Sequence, residues 1–222
     1  MDTIKLSDIK GAIFDLDGTI LNSMYIWEEI AIRYLRHIGI EPDEFFKATF
    51  KTMSLKQAAE YYREHYNVDK TLPEIIDGVN KMVESFYFDE VLKKDNIENV
   101  LQKLKDNGTK MCVATATDKY LVEKALERNG IKDYFSEIYT CATVDAGKDT
   151  SKIYDVSREH LGTPLENTYV FEDALYAVET AKNAGYKVIG IKDVSAQGDE
   201  ERIKELCDLY VKDHFELYDA LV

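Results

Sequence analysis

Short runs of apolar residues alternate along the chain with longer segments in which apolar residues recur at α-helical spacing. The apolar runs that predict β-strands are Ile9–Asp15, Lys110–Thr115, Glu137–Cys141, Thr168–Phe171, Lys187–Ile191 and, as a short edge strand, Leu209–Val211. The helical segments that accompany them are Ile97–Asn107, Asp118–Asn129, Thr150–Leu161, Ala174–Ala184, Glu200–Cys207 and His214–Leu221. This alternation is typical of βαβ units and predicts an α/β fold, a Rossmann-like parallel sheet with helices on both faces.

A long block without a credible strand interrupts this alternation after the first strand. Its segments with helical spacing and many charges are Trp27–His37, Asp43–Phe50, Leu55–Tyr66 and Pro73–Tyr87. The block is too long to be a single crossover connection. We therefore predict two parts, an α/β core domain of residues 1–20 and 92–222 and an inserted α-helical subdomain of residues 21–91.

Composition and charge limit the partners that the chain can have. The chain has 222 residues, 45% of them apolar, and a formal net charge of −14. This apolar content suffices for a large core and excludes general disorder. The negative charge disfavours nucleic acid and anionic membranes, because both are negatively charged themselves. Small phosphorylated molecules remain open as ligands.

The N-terminus lacks the basic start and apolar stretch of a signal peptide, and no apolar run approaches the length of a bilayer span. We therefore expect a cytoplasmic protein. The chain has three cysteines without a CxxC pair, two of which, Cys112 and Cys141, fall within predicted strands. We interpret them as reduced thiols.

Polar side chains cluster where four of the predicted strands end. They are Asp15 and Asp17 at the first strand, Thr115 at the second, Lys148 after the third, and Glu172 with Asp173 at the fourth. Ligands on an open α/β sheet bind outside the carboxyl ends of the strands. Each residue alone has an ordinary explanation, such as a turn or a helix cap. The set, in order at one edge of the sheet, indicates a functional site.

Spacing excludes several other ligand-binding motifs. An EF-hand calcium loop over the first motif would need acidic residues where Thr19 and Ile26 stand. Lys148 does not belong to a P-loop, because Ala142 occupies the first glycine position and Asp149 the Ser/Thr position. The chain has no GxGxxG fingerprint, and its four histidines show no metal-ligand spacing.

The four groups resemble, in their order, the motifs of the haloacid dehalogenase superfamily, in the branch with an α-helical cap. The segment from Asp15 to Thr19 is similar to the first motif, DxDGT, and Glu172-Asp173 to the acidic fourth motif. Thr115 and Lys148 match the second and third motifs, which are weak signals alone. The resemblance covers nearly the whole chain, with departures at Asn22, where many members have Asp, and in the missing prolines after the lysine.

The resemblance implies a phosphatase mechanism. Asp15 would be the nucleophile that forms an aspartyl-phosphate, and Asp17 the general acid and then the general base. A Mg²⁺ ion would be held by Asp15, Asp173, Glu172 and the backbone carbonyl of Asp17. The metal would reduce the repulsion between the anionic nucleophile and the anionic phosphate.

The resemblance also implies how the substrate is bound. Lys148 would pair with phosphoryl oxygens and hold the nucleophile, while the Thr115 hydroxyl and the Ala116 amide would bind a phosphoryl oxygen. The insertion would act as a cap that closes over the site. The candidate cap contacts are Ser23, Trp27 and Lys51, with a core position for Trp27 left open, and the expected hinges are Thr19–Met24 and Phe88–Asn96.

Three other kinds of protein are alternatives to a phosphatase. Sugar-phosphate mutases of the β-phosphoglucomutase type carry a cap histidine and a cap arginine where Trp27 and Leu55 stand, so the grip on a second phosphate is lost. A receiver-like phospho-Asp switch has an adjacent acidic pair and no helical insertion. A dehalogenase needs neither Mg²⁺ nor Asp17. We therefore predict a Mg²⁺-dependent phosphatase of a small phosphorylated metabolite, acting as a monomer because a mobile cap can close the site unaided.

Overall fold

The computed structural model describes residues 3–42 and 55–222 of the chain. The chain divides into two compact units, one formed by Met1–Asn22 with Val91–Val222 and the other by Ser23–Glu90. We call the first the core unit and the second the insertion unit. None of the described helices combines the length and the apolar character needed to span a membrane.

The core unit is built on a parallel sheet. In the described part of the chain, its strands are β1 (Gly11–Phe14), β2 (Lys110–Thr115), β3 (Ile138–Thr140), β4 (Thr168–Glu172), β5 (Lys187–Ile191) and β6 (Leu209–Val211). They are arranged in the order β3-β2-β1-β4-β5-β6, and all neighbours pair in parallel. The predicted α/β fold with a Rossmann-like parallel sheet is confirmed.

The described part of the insertion unit is helical. It contains α1 (Met24–His37), α2 (Leu55–His65) and α3 (Leu72–Ser85), and α3 continues into a π-helical turn at Phe86–Glu90. The ring of Tyr34 in α1 stacks on Tyr62 in α2 with centroids 5.8 Å apart. Gly78 of α3 faces the same ring, since a Cβ there would lie 2.6 Å from it. The three helices therefore meet around one tyrosine, while the predicted helix Asp43–Phe50 lies outside the described residues.

Helices cover the sheet of the core unit. They are α4 (Ile97–Asp106), α5 (Lys119–Arg128), α6 (Cys141–Val144), α7 (Lys152–Leu161), α8 (Leu175–Asn183), α9 (Glu200–Leu206) and α10 (His214–Ala220). Every residue of β1 and β4 is buried, as expected for strands covered on both faces. The rings of Phe14 and Phe171, from these adjacent strands, stack with centroids 4.1 Å apart. This packing fixes the two strands whose ends carry the predicted site.

The predicted strand Glu137–Cys141 is wrong at its end, because Cys141 begins helix α6. The Thr143 amide donates to Thr140 Oγ1 at 3.1 Å, and the Thr140 amide donates to Thr143 Oγ1 at 2.8 Å. This reciprocal capping box ends the strand and starts the helix. A capping box usually has Glu or Gln at the position of Thr143, so the sequence gives no clear signal of a helix start here. The apolar pattern therefore extended the predicted strand one residue too far, to Cys141.

Two chain segments join the insertion unit to the core unit in sequence. Within the core unit, these two segments are hydrogen-bonded to each other. The Asn22 amide donates to the Leu92 carbonyl at 2.9 Å, and the Lys94 amide donates to the Ile20 carbonyl at 2.8 Å. The side chain of Asn129 donates to the Val91 carbonyl at 3.1 Å. These hydrogen bonds fix both segments to the core unit up to its boundaries.

Candidate active site

The order of the core strands reverses between β1 and β4. The chain leaves β1 toward β2 and β3 on one side, and then returns to the other side of β1 with β4. The crevice outside the carboxyl ends of strands at such a switch point is the usual ligand site of an open α/β sheet. Asp15 follows β1 directly, and its amide donates to the Phe171 carbonyl of β4 at 2.9 Å. Glu172 ends β4 and Asp173 follows it, so the carboxylates of both strands meet at this crevice.

Asp15, Glu172 and Asp173 form a buried carboxylate cluster. One oxygen from each carboxylate lies within 4.8 Å of the others, and the residues are only 7%, 1% and 3% exposed. The turn within the first motif reaches φ +81° at Gly18, and a Cβ there would overlap the Asp173 carboxylate. The hydroxyl of the next residue, Thr19, donates to Asp173 Oδ1 at 3.0 Å. The DxDGT turn therefore packs directly against the acidic end of β4.

Lys148 enters the cluster from the loop after α6. Its Nζ donates to Asp15 Oδ1 and, at 2.5 Å, to Glu172 Oε1. The lysine is itself buried, so the contacts form an ion-pair network shielded from water. The Tyr154 hydroxyl of α7 donates to the same Glu172 Oε1 at 3.1 Å.

One lysine does not balance the buried negative charge of the cluster. Burial raises the pKa of Asp15 well above its usual range, and the neighbouring carboxylates raise it further against the opposing effect of Lys148. Burial and then Glu172 raise the pKa of Asp173 to about 7. The pKa of Lys148 is raised by Asp15 and Glu172 in spite of its burial. The excess of carboxylate over ammonium, and the oxygen-only donor set, fit a hard divalent cation such as Mg²⁺.

The end of β2 brings hydroxyl groups to the first motif. The Thr117 hydroxyl donates to Asp17 Oδ2 at 2.6 Å, and the Thr117 amide donates to Thr115 Oγ1 at 3.2 Å. Thr115 is buried, whereas Ala116 is exposed in the turn between the two threonines. Asp118 is the N-cap residue of α5. The Thr117 hydroxyl is therefore not a helix cap, and it donates to Asp17 instead.

The predicted site residues thus fall into two groups. The core unit brings together, through contacts with one another or through Thr117, the predicted residues Asp15, Asp17, Thr115, Lys148, Glu172 and Asp173. Two predicted cap contacts belong to the insertion unit, where Ser23 is the N-cap residue of α1 and Trp27 follows on its first turn. Trp27 is 48% exposed and is not a core residue. Lys51 lies outside the described residues.

Sequence reasoning missed several side chains at the site. Thr19 stands inside the first motif, but its spacing gives no sign that its hydroxyl bonds to Asp173, directly after β4. Thr117 and Tyr154 bond to carboxylates on other elements, which no local pattern indicates. Tyr176, on the first turn of α8, is 56% exposed, and partial desolvation followed by Glu172 raises its pKa to about 12. A search for hydroxyl side chains near the strand ends would have included Thr117 and Tyr176, but not the helix residue Tyr154.

The chain is similar to known proteins over most of its length. The family model described as haloacid dehalogenase-like hydrolase matches residues 12–191. The phosphorylated carbohydrates phosphatase of Thermotoga maritima is 25% identical over 82% of this chain and 84% of its own length. The validoxylamine A 7'-phosphate phosphatase of Streptomyces hygroscopicus subsp. limoneus is 25% identical over 92% and 93%.

Among solved structures, a candidate β-phosphoglucomutase from Thermotoga maritima superposes with a TM-score of 0.84 at 21% identity, covering 96% of this chain and 100% of that one. This similarity is one of fold. The predicted family resemblance and the predicted enzyme class, a hydrolase of the phosphatase type, are confirmed by the family match and these relatives. The chain belongs to the haloacid dehalogenase-like hydrolases.

Proposed function

We propose that this hydrolase is a Mg²⁺-dependent phosphatase that releases phosphate from a small phosphorylated metabolite through an aspartyl-phosphate on Asp15. The observation that carries the proposal is the buried cluster of Asp15, Glu172 and Asp173, joined by Lys148, at the switch point of the core sheet. Phosphate monoesters are among the slowest biological substrates to hydrolyse without a catalyst. A carboxylate nucleophile divides that reaction into two easier steps.

The two steps use Asp15 and Asp17 in different roles. In the first step, a carboxylate oxygen of Asp15 attacks phosphorus while the bond from phosphorus to the leaving oxygen breaks, and Asp17 gives that oxygen a proton. In the second step, water attacks phosphorus, Asp17 takes a proton from the water, and the bond between phosphorus and the Asp15 oxygen breaks. The Thr117 hydroxyl, 2.6 Å from Asp17 Oδ2, orients the group that makes both proton transfers.

The cation would be held by the carboxylates of Asp15, Glu172 and Asp173 and by the backbone carbonyl of Asp17. When bound, Mg²⁺ supplies the positive charge that offsets the repulsion between an anionic nucleophile and an anionic phosphate. The raised pKa of Asp173 supports this assignment, because the carboxylates in the cluster lack sufficient positive charge from the protein itself.

The phosphoryl group would be bound by Lys148, from the loop after α6, and by the end of β2. Lys148 donates to Asp15 and would place its positive charge beside the phosphoryl oxygens. The Thr115 hydroxyl accepts from the Thr117 amide, which leaves its hydrogen to donate to a phosphoryl oxygen. The amide of Ala116, exposed in the same turn, would add a second donor.

We propose that the insertion unit is the cap that contacts the remainder of the substrate through Ser23, Trp27 and Lys51. The names of the relatives support sugar phosphates as the first substrates to test. The test is phosphate release by the purified protein from sugar phosphates, nucleoside monophosphates, pyrophosphate and p-nitrophenyl phosphate, with Mg²⁺ or with a chelator.

We expect Mg²⁺-dependent release that Asp15→Asn lowers by at least about 1,000-fold in kcat. The matched control is Asp208→Asn, which removes a partly buried carboxylate that pairs with Lys182 and Lys187 away from the site, and it should keep the activity. Full activity of Asp15→Asn, or full activity in the chelator, would contradict the proposal.

A further inference from the structure

Tyr154 is a buried tyrosine whose hydroxyl has no part in the two reaction steps. It lies on α7 with 1% of its surface exposed, and its ring packs 6.0 Å from that of Tyr186 in an apolar cluster of the core unit. Burial raises the pKa of Tyr154 far above its ordinary value, so the phenol keeps its proton. The hydroxyl donates that proton to Glu172 Oε1 at 3.1 Å.

The two carboxylate oxygens of Glu172 differ in their hydrogen bonds. Oε1 accepts from both the Tyr154 hydroxyl and Lys148 Nζ, whereas no donor among the described residues reaches Oε2. The Glu172 side chain as a whole is only 1% exposed. An oxygen of Glu172 lies in the carboxylate cluster, within 4.8 Å of oxygens of Asp15 and Asp173.

We propose that Tyr154 is a positioning residue that commits Oε1 of Glu172 to hydrogen bonding and so leaves Oε2 to bind the Mg²⁺ ion directly. This inference rests on the proposed function. Lys148 alone does not select one oxygen, because its ammonium sits on a flexible stem and is shared with Asp15. The tyrosine ring is fixed in the core and approaches Glu172 from one direction, as partners behind a metal ligand commonly do.

The test is the Mg²⁺ dissociation constant of the metal-free protein, measured by calorimetric titration without substrate. Tyr154→Phe removes the hydroxyl and keeps the ring, and it should weaken Mg²⁺ binding about 10-fold. The matched control is Tyr186→Phe, because Tyr186 is equally buried and its hydroxyl donates to Asp155 at 2.8 Å, away from the cluster. The control should bind Mg²⁺ as the wild type does. Wild-type affinity in Tyr154→Phe, or an equal loss in Tyr186→Phe, would overturn the inference.

A second variant tests the Glu172 oxygen itself and can overturn the inference even if Tyr154→Phe does not fold. Glu172→Gln keeps a carbonyl oxygen for Tyr154 and Lys148 and replaces Oε2 by an amide nitrogen, which does not bind Mg²⁺. We expect its Mg²⁺ affinity to fall by at least about 10-fold. Where both variants fold, Tyr154→Phe should cost nothing further in the Glu172→Gln background. Wild-type affinity in Glu172→Gln, or an undiminished cost of Tyr154→Phe in that background, counts against the inference.

Kinetics separate this inference from the proposed function. A positioning role predicts that Tyr154→Phe needs more Mg²⁺ for half-maximal activity but regains most of its kcat at saturating Mg²⁺. An active, Mg²⁺-dependent wild type with an unchanged Mg²⁺ requirement in Tyr154→Phe would refute the positioning role alone. A wild type that releases no phosphate from any substrate would refute the proposed function and leave the Mg²⁺ titrations to be judged by themselves.

Discussion

Replacing Asp173 by Asn tests whether the carboxylate cluster is built for a cation. Without such a cation, burial and then Glu172 raise the pKa of Asp173 from 3.8 to about 7. The folded state therefore binds this proton more tightly than the unfolded state, so the stability falls as the pH rises from about 4 to above 7. At about 1.4 kcal/mol for each pKa unit, the ionised carboxylate costs the metal-free protein at most about 4 kcal/mol at pH 8.

Asp173→Asn removes this cost and keeps an oxygen that can accept from the Thr19 hydroxyl. We expect urea unfolding in the presence of a chelator to show a more stable variant at pH 8, with an advantage over the wild type about 2–3 kcal/mol larger there than at pH 5. Saturating Mg²⁺ should stabilise the wild type, because it binds the folded state, and should stabilise the variant much less.

Asp208→Asn is a control for which we expect the opposite change in stability at pH 8. The pKa of Asp208 is lowered in spite of its burial, chiefly by Lys182 and the Val188 amide. Its replacement should therefore destabilise the protein at pH 8. A metal-free Asp173→Asn variant that is less stable than the wild type at pH 8, or that gains as much from Mg²⁺, would refute the reasoning.

Three further predictions concern side chains around the site and in the core. Thr117→Val should lower kcat about tenfold with little change in KM, because a hydrogen bond to the Asp17 carboxylate is lost; Thr117→Ser should restore it, and an unaffected kcat would contradict the role. Tyr176→Ala should raise KM more than it lowers kcat in the same assay, since the exposed phenol lies in the field of the cluster; an unchanged KM for every substrate would exclude a substrate contact. Burial, then Lys94, lowers the pKa of His214 to about 4. The folded state therefore binds that proton less tightly, and the stability falls as the pH drops from about 6.5 toward 4; His214→Gln should reduce that loss in urea titrations, and an identical pH profile would contradict it.

The strands that carry the site could be predicted from sequence because their physics is local. β1 and β4 are buried on both faces, so they appear as continuous apolar runs that end at a carboxylate. The parallel βαβ arrangement then brings the strand ends to one edge of the sheet. Asp15 is far from Glu172 and Asp173 along the chain. Their proximity could still be predicted, because the parallel topology places the ends of β1 and β4 side by side.

The hydrogen bonds that orient these carboxylates could not be predicted in the same way. Tyr154 contacts Glu172 through the packing of α7 on the sheet, and Thr117 contacts Asp17 through the turn after β2. Neither pair has a fixed spacing along the chain. In the sequence, Tyr154 looks like an ordinary core tyrosine, and Thr117 looks like an ordinary helix-cap threonine. The end of β3 was missed for a related reason, since the capping pair of Thr140 and Thr143 acts through hydrogen bonds that hydrophobic patterning does not record.

The most direct test of the account is to locate the phosphoryl group on the enzyme during turnover. Asp17→Asn should still be phosphorylated by p-nitrophenyl phosphate, whose leaving group departs without a proton, but it should hydrolyse the aspartyl-phosphate slowly for lack of a base. After an acid quench, mass spectrometry of the tryptic peptide Gly11–Arg33 should find one phosphoryl group on Asp15. A phosphoryl group on any other residue, or rapid turnover with no phosphorylated peptide in this variant, would contradict the assignment of Asp15 as the nucleophile.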